Sequence, residues 1–239
     1  MHSVSVLMWA SIFQSVAVIA SGHSTGHRYA IGNYRQSLDT GTCSPNCGQP
    51  SPILVPLVPD AEQYKLTSRT NGVRFDLNAD GVKEQIAWTA ADSRLAFLAI
   101  DRNGNGKIDD GRELFGSVTR PASANGFEAL AKLKEETGDD ISYAATWDGD
   151  SLFGSLLLWE DRNHNGMSEP SELQQASNVL KAIGFGYHTI KRRDEYGNLL
   201  NMAGWAFFAD DIQTYEPRLH HSMQDKQRSI IDVSLTSTR

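Results

Sequence analysis

DRNHNGMSEPSE, residues 161–172, alternates oxygen donors with residues that turn the chain, and the fold expected around it rests on that pattern. Asp161, Asn163 and Asn165 stand at positions 1, 3 and 5, with Gly166 at position 6. Met167 would offer its backbone carbonyl at position 7, Glu169 its carboxylate at position 9, and Glu172 a bidentate carboxylate at position 12. Calcium is a hard cation that takes about six to eight oxygens, and a glycine at the sharp turn lets one short loop supply them. The spacing matches a complete EF-hand loop. The apolar SLFGSLLLWE (151–160) before it has helical length, and Pro170 with its flanking acids suits the first turn of a second helix. A helix–loop–helix calcium site is therefore expected here.

The same register occurs twice more. DRNGNGKIDDGRE (101–113) places Asp101, Asn103, Asn105 and Gly106 as before, with the Lys107 carbonyl at position 7 and Asp109 at position 9. Position 12 is Arg112, and the acid Glu113 comes one residue late; either Gly111 allows a bulge that swings Glu113 inward, or Asp109 and water complete the shell. DLNADGVKE (76–84) offers Asp76, Asn78, Asp80, the Val82 carbonyl and Glu84, with Ala87 at position 12. That loop reads as a compact connection between two strands, closed by the position-9 acid. Asp, Asn and Gly also build ordinary turns and helix caps. Three repeats of one register in one chain are more than chance turns supply.

Around these loops, VRFDL (73–77), QIAWTA (85–90) and RLAFLAI (94–100) are β-like runs that end against Asp/Asn/Gly clusters. NGFEALAKLKEE (125–136) spaces Phe127, Leu130, Ala131 and Leu133 on a helical face, with Asn125 as its cap. GYHTIKRR and LLNMAGWAFFA flank the turn DEYGN (194–198), and IIDVSL (230–235) closes a sheet. The fold class expected is α+β: one domain over 60–239, with EF-hand-like helix–loop–helix and strand–loop sites and C-terminal strands.

The N-terminus suggests export. Val4 to Ala20 is apolar, broken only by Ser5, Ser11, Gln14 and Ser15, and small residues succeed it at Ser21 and Gly22. Residues 1–22 thus read as a secretory signal peptide, although no Lys or Arg precedes the apolar run. Residues 23–59 hold five of the eight prolines and read as a Pro/Gly/Ser-rich linker. The expected location is secreted, extracellular or periplasmic, with no membrane span in the mature chain. Cys43 and Cys47 could close a small disulfide there. The formal charge of −7 argues against a nucleic-acid surface and suits a collector of cations.

FDLNADGVKEQIAW, LAIDRNGNGKIDDGRELFG, ANGFEALAKL and LWEDRNHNGMSEPSEL, in this order, resemble a bacterial family of EF-hand-type calcium-binding domains. That family occurs as standalone exported proteins and beside haemolysin-type (RTX) repeats. The resemblance covers roughly residues 70–200 and takes in RRDEYGN (192–198). It implies calcium binding and no reaction, and it includes the late Glu113 in the family's pattern. Members carry a further loop after the helix; here Asp139, Asp140, Asp148 and Asp150 fall out of register and read as a degenerate site.

No HExxH, P-loop, GxSxG or Rossmann fingerprint is present, and no Gly-Gly-x-Gly-x-Asp repeat. Nor is there an Asp-Pro bond, the simplest route to calcium-triggered self-cleavage. An exported, calcium-stabilised binding or structural module is the favoured reading, with an enzyme the less favoured one and the protein or glycan partner open. The rival readings are a calcium-dependent hydrolase or toxin fragment, with paired acids such as Asp148 and Asp150 or Asp210 and Asp211, and a surface adhesin on a 43–60 stalk.

Overall fold

Ile53–Pro56 and Leu95–Ala99 pair with each other and are buried at every position, and this doubly covered centre organises the molecule. The computed structural model describes residues 50–59, 64–119, 123–137, 144–146, 151–209 and 227–238. These belong to one compact unit, 43–239. The strands are β1 (Ile53–Pro56), β2 (Val73–Phe75), β3 (Glu84–Ile86), β4 (Leu95–Ala99), β5 (Ala144–Thr146) and β6 (Leu157–Trp159). They continue with β7 (Leu173–Gln175), β8 (Leu180–Gly184), β9 (His188–Arg193), β10 (Leu199–Phe208) and β11 (Gln227–Ser234). The one α-helix among the described residues is α1 (Gly126–Glu136).

One sheet runs β5-β8-β10-β11-β1-β4-β6-β7, with β9 also on β10, and every pairing in it is antiparallel. β2 and β3 form a separate hairpin. On one face Ile53, Val55, Ala96, Leu98, Leu158 and Ile230 pack with Phe127 and Leu130 of α1. On the other, Leu54, Leu95, Phe97, Trp159 and Ile231 pack with Phe75 and Ile86 of the small hairpin. Where the sheet is covered on both sides it needs apolar residues at successive positions, which is why β1 and β4 read as short continuous apolar runs. Asn125 caps α1, its side chain accepting the Glu128 N–H at 3.0 Å.

The α+β expectation is therefore wrong: the described structure is mostly β. SLFGSLLLWE is not a helix. A single 3-10 turn, Phe153–Ser155, leads into strand β6, and the residues directly after Glu172 form strand β7. A run such as LLLW has no period that separates strand from helix, and burial on both faces of the sheet decides for the strand. No helix–loop–helix flanks any of the three loops. The stretch read as linker ends in regular structure, because Ile53–Pro56 is a fully buried strand between β11 and β4. Its three apolar residues enter the sheet directly after Pro52.

The signal-like segment, Cys43, Cys47, Asp60, the out-of-register acids at 139–150, Asp210 and Asp211 lie outside the described residues. Among the described residues no helix is long and apolar enough to cross a membrane.

Candidate metal loops

Each of the three loops closes a β-hairpin. Residues 76–84 join β2 to β3, and 161–172 join β6 to β7. Residues 101–113 leave β4 and return beside it, with Ile100 N–H donating to Glu113 O at 2.8 Å and Phe115 N–H to Leu98 O at 3.0 Å. Strand–loop–strand thus replaces the expected helical frame.

Inside that frame the three loops share one geometry. The position-1 carboxylate accepts the backbone N–H groups of positions 5 and 6. In 76–84 these bonds run from Asp80 and Gly81 to Asp76, at 3.1 and 2.9 Å. In 101–113 they run from Asn105 and Gly106 to Asp101, at 3.2 and 2.8 Å. In 161–172 they run from Asn165 and Gly166 to Asp161, at 3.1 and 2.9 Å. Position 4 is left-handed every time, at Ala79 (φ 60°), Gly104 (φ 71°) and His164 (φ 59°). So is the position-6 glycine, at 92°, 78° and 70° for Gly81, Gly106 and Gly166. A left-handed alanine or histidine costs about 1–2 kcal/mol, so the recurrence marks a specific loop form and not a generic turn.

Asparagine amides hold the position-9 acid in each loop. Asn78 donates to Glu84 at 2.8 Å, Asn105 to Asp109 at 2.6 Å, and Asn165 to Glu169 at 2.7 Å. Asn103 and Asn163 reach the same acids at 3.2 and 3.3 Å. Asp80, the third carboxylate of its loop, accepts from Asn78 and from Val82 N–H. The side chains of Val82 and Met167 are exposed, as residues contributing only a carbonyl would be.

The closing acids separate the loops. Glu113, although one residue late, is buried, and its two oxygens accept the Arg102 and Asp109 N–H groups at 3.0 and 2.8 Å. Gly111 makes this possible: a Cβ there would fall 1.8 Å from the Leu77 carbonyl oxygen. Oε1 of Glu172 likewise accepts from Arg162 and Asn163 N–H, at 3.0 and 3.2 Å. Its Oε2 is buried with no N–H or O–H directed at it. Burial, and then the adjacent Glu169 carboxylate, push the Glu172 carboxyl above its ordinary range, while Glu169 is held below its own by Glu172 and the Asn165 and Asn163 amides. Two carboxylates can share a hydrogen bond only while one keeps a proton; with both ionised, Oε2 faces no partner. Burial also raises Glu113. In 76–84 the position-12 residue, Ala87, is core, so that loop has no acid beyond Glu84 at position 9.

Among the described residues no three His, Cys, Asp or Glu side chains gather into a metal cluster. The donor sets here mix carboxylates with asparagine oxygens and backbone carbonyls, which suits a hard cation and not a thiolate or imidazole metal. The orphaned Oε2 of Glu172 is the observation that fits a cation to the 161–172 loop.

Sequence reasoning missed the supports beneath that loop. Trp88 Nε1–H donates to Asp161 Oδ2 at 2.8 Å, and the His164 ring lies 2.9 Å from Thr89 O and 2.7 Å from Asn71 O. No local signal marks them, because the partners are more than seventy residues apart in the chain.

Residues 60–216, containing all three loops, match the model of the SPM domain. The chain belongs to the SPM domain family. Over 167 residues this SPM-domain chain is 32% identical to the iron-regulated protein FrpA of Neisseria meningitidis serogroup C, covering 65% of its own length. It spans 14% of that relative's length. The SPM match begins at residue 60 and leaves β1 and β11 outside it, although both lie in the middle of the sheet.

Proposed function

We propose that this SPM-domain chain is an exported calcium-binding protein whose loops 76–84, 101–113 and 161–172 take the ion as a structural ligand. The observation that carries the reading is Glu172 Oε2, a buried carboxylate oxygen without a donor, at the closing position of a loop whose other oxygens fit calcium. Glu172 lies beside Glu169 and Asp161, and Glu113 beside Asp109; a cation bound to the folded form would offset that repulsion and stabilise the fold by linkage. In calcium-poor surroundings the loops would be loose, and they would set after export. The ion's role is structural, and no reaction is assigned to it.

Calorimetric titration of the full chain with calcium, paired with thermal unfolding in calcium and in chelator, tests the proposal. Saturable binding of up to one ion per loop, with a higher unfolding midpoint in calcium, is expected. Absence of saturable binding, or an unchanged midpoint, would sink it.

A further inference from the structure

The loops touch one another through atoms that are not candidate ligands. Ile108 N–H donates to Ser168 Oγ at 2.7 Å, and the same hydroxyl lies 3.4 Å from Ile108 O. Both residues are buried, and each holds position 8 of its loop. Gly111 N–H donates to Asp76 O at 2.9 Å, and Asp76 and Asp110 form a parallel bridge. Thus 161–172 holds 101–113 by its middle, and 101–113 holds 76–84 by its first residue.

We infer that the three loops load as one coupled unit, with Ser168 Oγ the link between 161–172 and 101–113 and the Gly111–Asp76 contact the link to 76–84. This rests on the calcium reading above and adds to it how the sites regulate each other. The amides of Asn163 and Asn165 face Glu169. The oxygens of these same residues would hold the ion, and holding it would fix the segment 163–169, which contains Ser168. Ser168 then holds Ile108, whose neighbours Lys107 and Asp109 supply the carbonyl and carboxylate of the next loop. Ordering Asp109 to Glu113 in turn fixes the main chain at Asp76, the first ligand of the third loop. A second ion entering a loop already ordered loses less conformational freedom, so its affinity rises, and the effect is reciprocal.

Calorimetry on the full chain with calcium chloride decides the matter. The wild type should fill with a Hill coefficient above 1. Ser168→Ala removes the link and no ligand; it should bind the same number of ions with a coefficient near 1 and a half-saturating concentration on the order of tenfold higher. Because Ser168→Ala strands a buried N–H and could fail to fold, Glu172→Gln gives an independent arm. Crippling 161–172 should weaken the remaining ions by a similar factor. Wild-type filling with a coefficient of 1, or remaining ions that keep their affinity in Glu172→Gln, would overturn the coupling while leaving calcium binding intact. A wild type that binds no calcium is a different result, and it removes the calcium reading itself.

Discussion

The indole Nε1–H of Trp88 donates to Oδ2 of Asp161 at 2.8 Å, and the same oxygen takes the Gly166 N–H at 2.9 Å. Trp88 is wholly buried, its ring 4.4 Å from Phe97, 5.2 Å from Phe75 and 5.6 Å from Trp159 between centroids. The first acid of the 161–172 loop is thereby fixed to the aromatic core that joins the sheet to the small hairpin. Packing around Trp88 thus helps to position this carboxylate, which would lower the ordering cost of binding at that one ligand.

Trp88→Phe keeps most of the ring and deletes the donor. The lost hydrogen bond to a buried carboxylate should cost about 1–3 kcal/mol, with some packing loss added. Urea unfolding should show a lower midpoint at similar slope, and calorimetry a weaker calcium site. An unchanged midpoint would show that the indole N–H contributes nothing to holding Asp161.

The position-6 glycines should respond unequally to alanine. All three need positive φ, at a strain of about 1–2 kcal/mol for a side chain. At Gly81 and Gly106 an added Cβ meets nothing within 4 Å, but at Gly166 it would stand 2.9 Å from Val73 Cγ2 and 3.1 Å from Arg74 O. Gly166→Ala should therefore lose clearly more stability than Gly81→Ala or Gly106→Ala by chemical denaturation in chelator. Equal losses would mean that the 161–172 loop does not pack on β2 in solution.

Asp232 predicts a pH dependence unconnected to the loops. It lies fully buried on β11, accepting from Ser51 Oγ at 3.1 Å, the Gly126 N–H at 2.8 Å and Asn201 Nδ2 at 3.2 Å. Burial raises its carboxyl from 3.8 to about 6, against the opposing pull of those donors. Between these values the folded protein holds a proton that the unfolded chain has released, so this group makes stability fall as pH rises. The penalty is absent below the unfolded value and complete above the folded one, reaching about 3 kcal/mol. Asp232→Asn keeps an acceptor for Gly126 and cannot ionise. The difference in stability between wild type and variant should drift in the variant's favour from about pH 4 to about pH 7. A difference that stays flat would show that Asp232 does not titrate in that window.

Helix α1 and its Asn125 cap are legible in the sequence because capping and helical spacing are local signals, as is the start of each loop, where Asp, Asn and Gly recur at fixed intervals. The frame around 161–172 is not. Leu156 to Trp159 is apolar throughout, and only the partner strands β4 and β7 make it a strand. β1 is hidden by the prolines on either side of it, whose composition reads as linker. Gly111 signals the inward turn of Glu113, but the orphaned oxygen of Glu172 appears only once the loop is folded, since burial comes from distant residues.

Glu172 should dominate calcium-linked stability. Glu172→Gln keeps the size and one oxygen but replaces the other with an amide N–H₂, which cannot ligate a cation. The control should change one charge without touching a loop, and the neighbouring Glu160 is unsuitable because it is buried and paired to Arg94 at 2.9 Å. Asp92→Asn serves instead, since Asp92 is exposed, with only a 3.6 Å surface pairing to Lys65. Such pairs contribute at most about 1 kcal/mol, with or without calcium. At ten times the dissociation constant, one filled site adds roughly 1.4 kcal/mol of stability. Urea unfolding in calcium and in chelator should show that gain in wild type and in Asp92→Asn, and much less of it in Glu172→Gln. In chelator, Glu172→Gln should be at least as stable as the wild type, because it removes a carboxylate held beside Glu169 and Asp161. If Glu172→Gln gains as much from calcium as wild type does, the 161–172 loop is a turn and not a cation site.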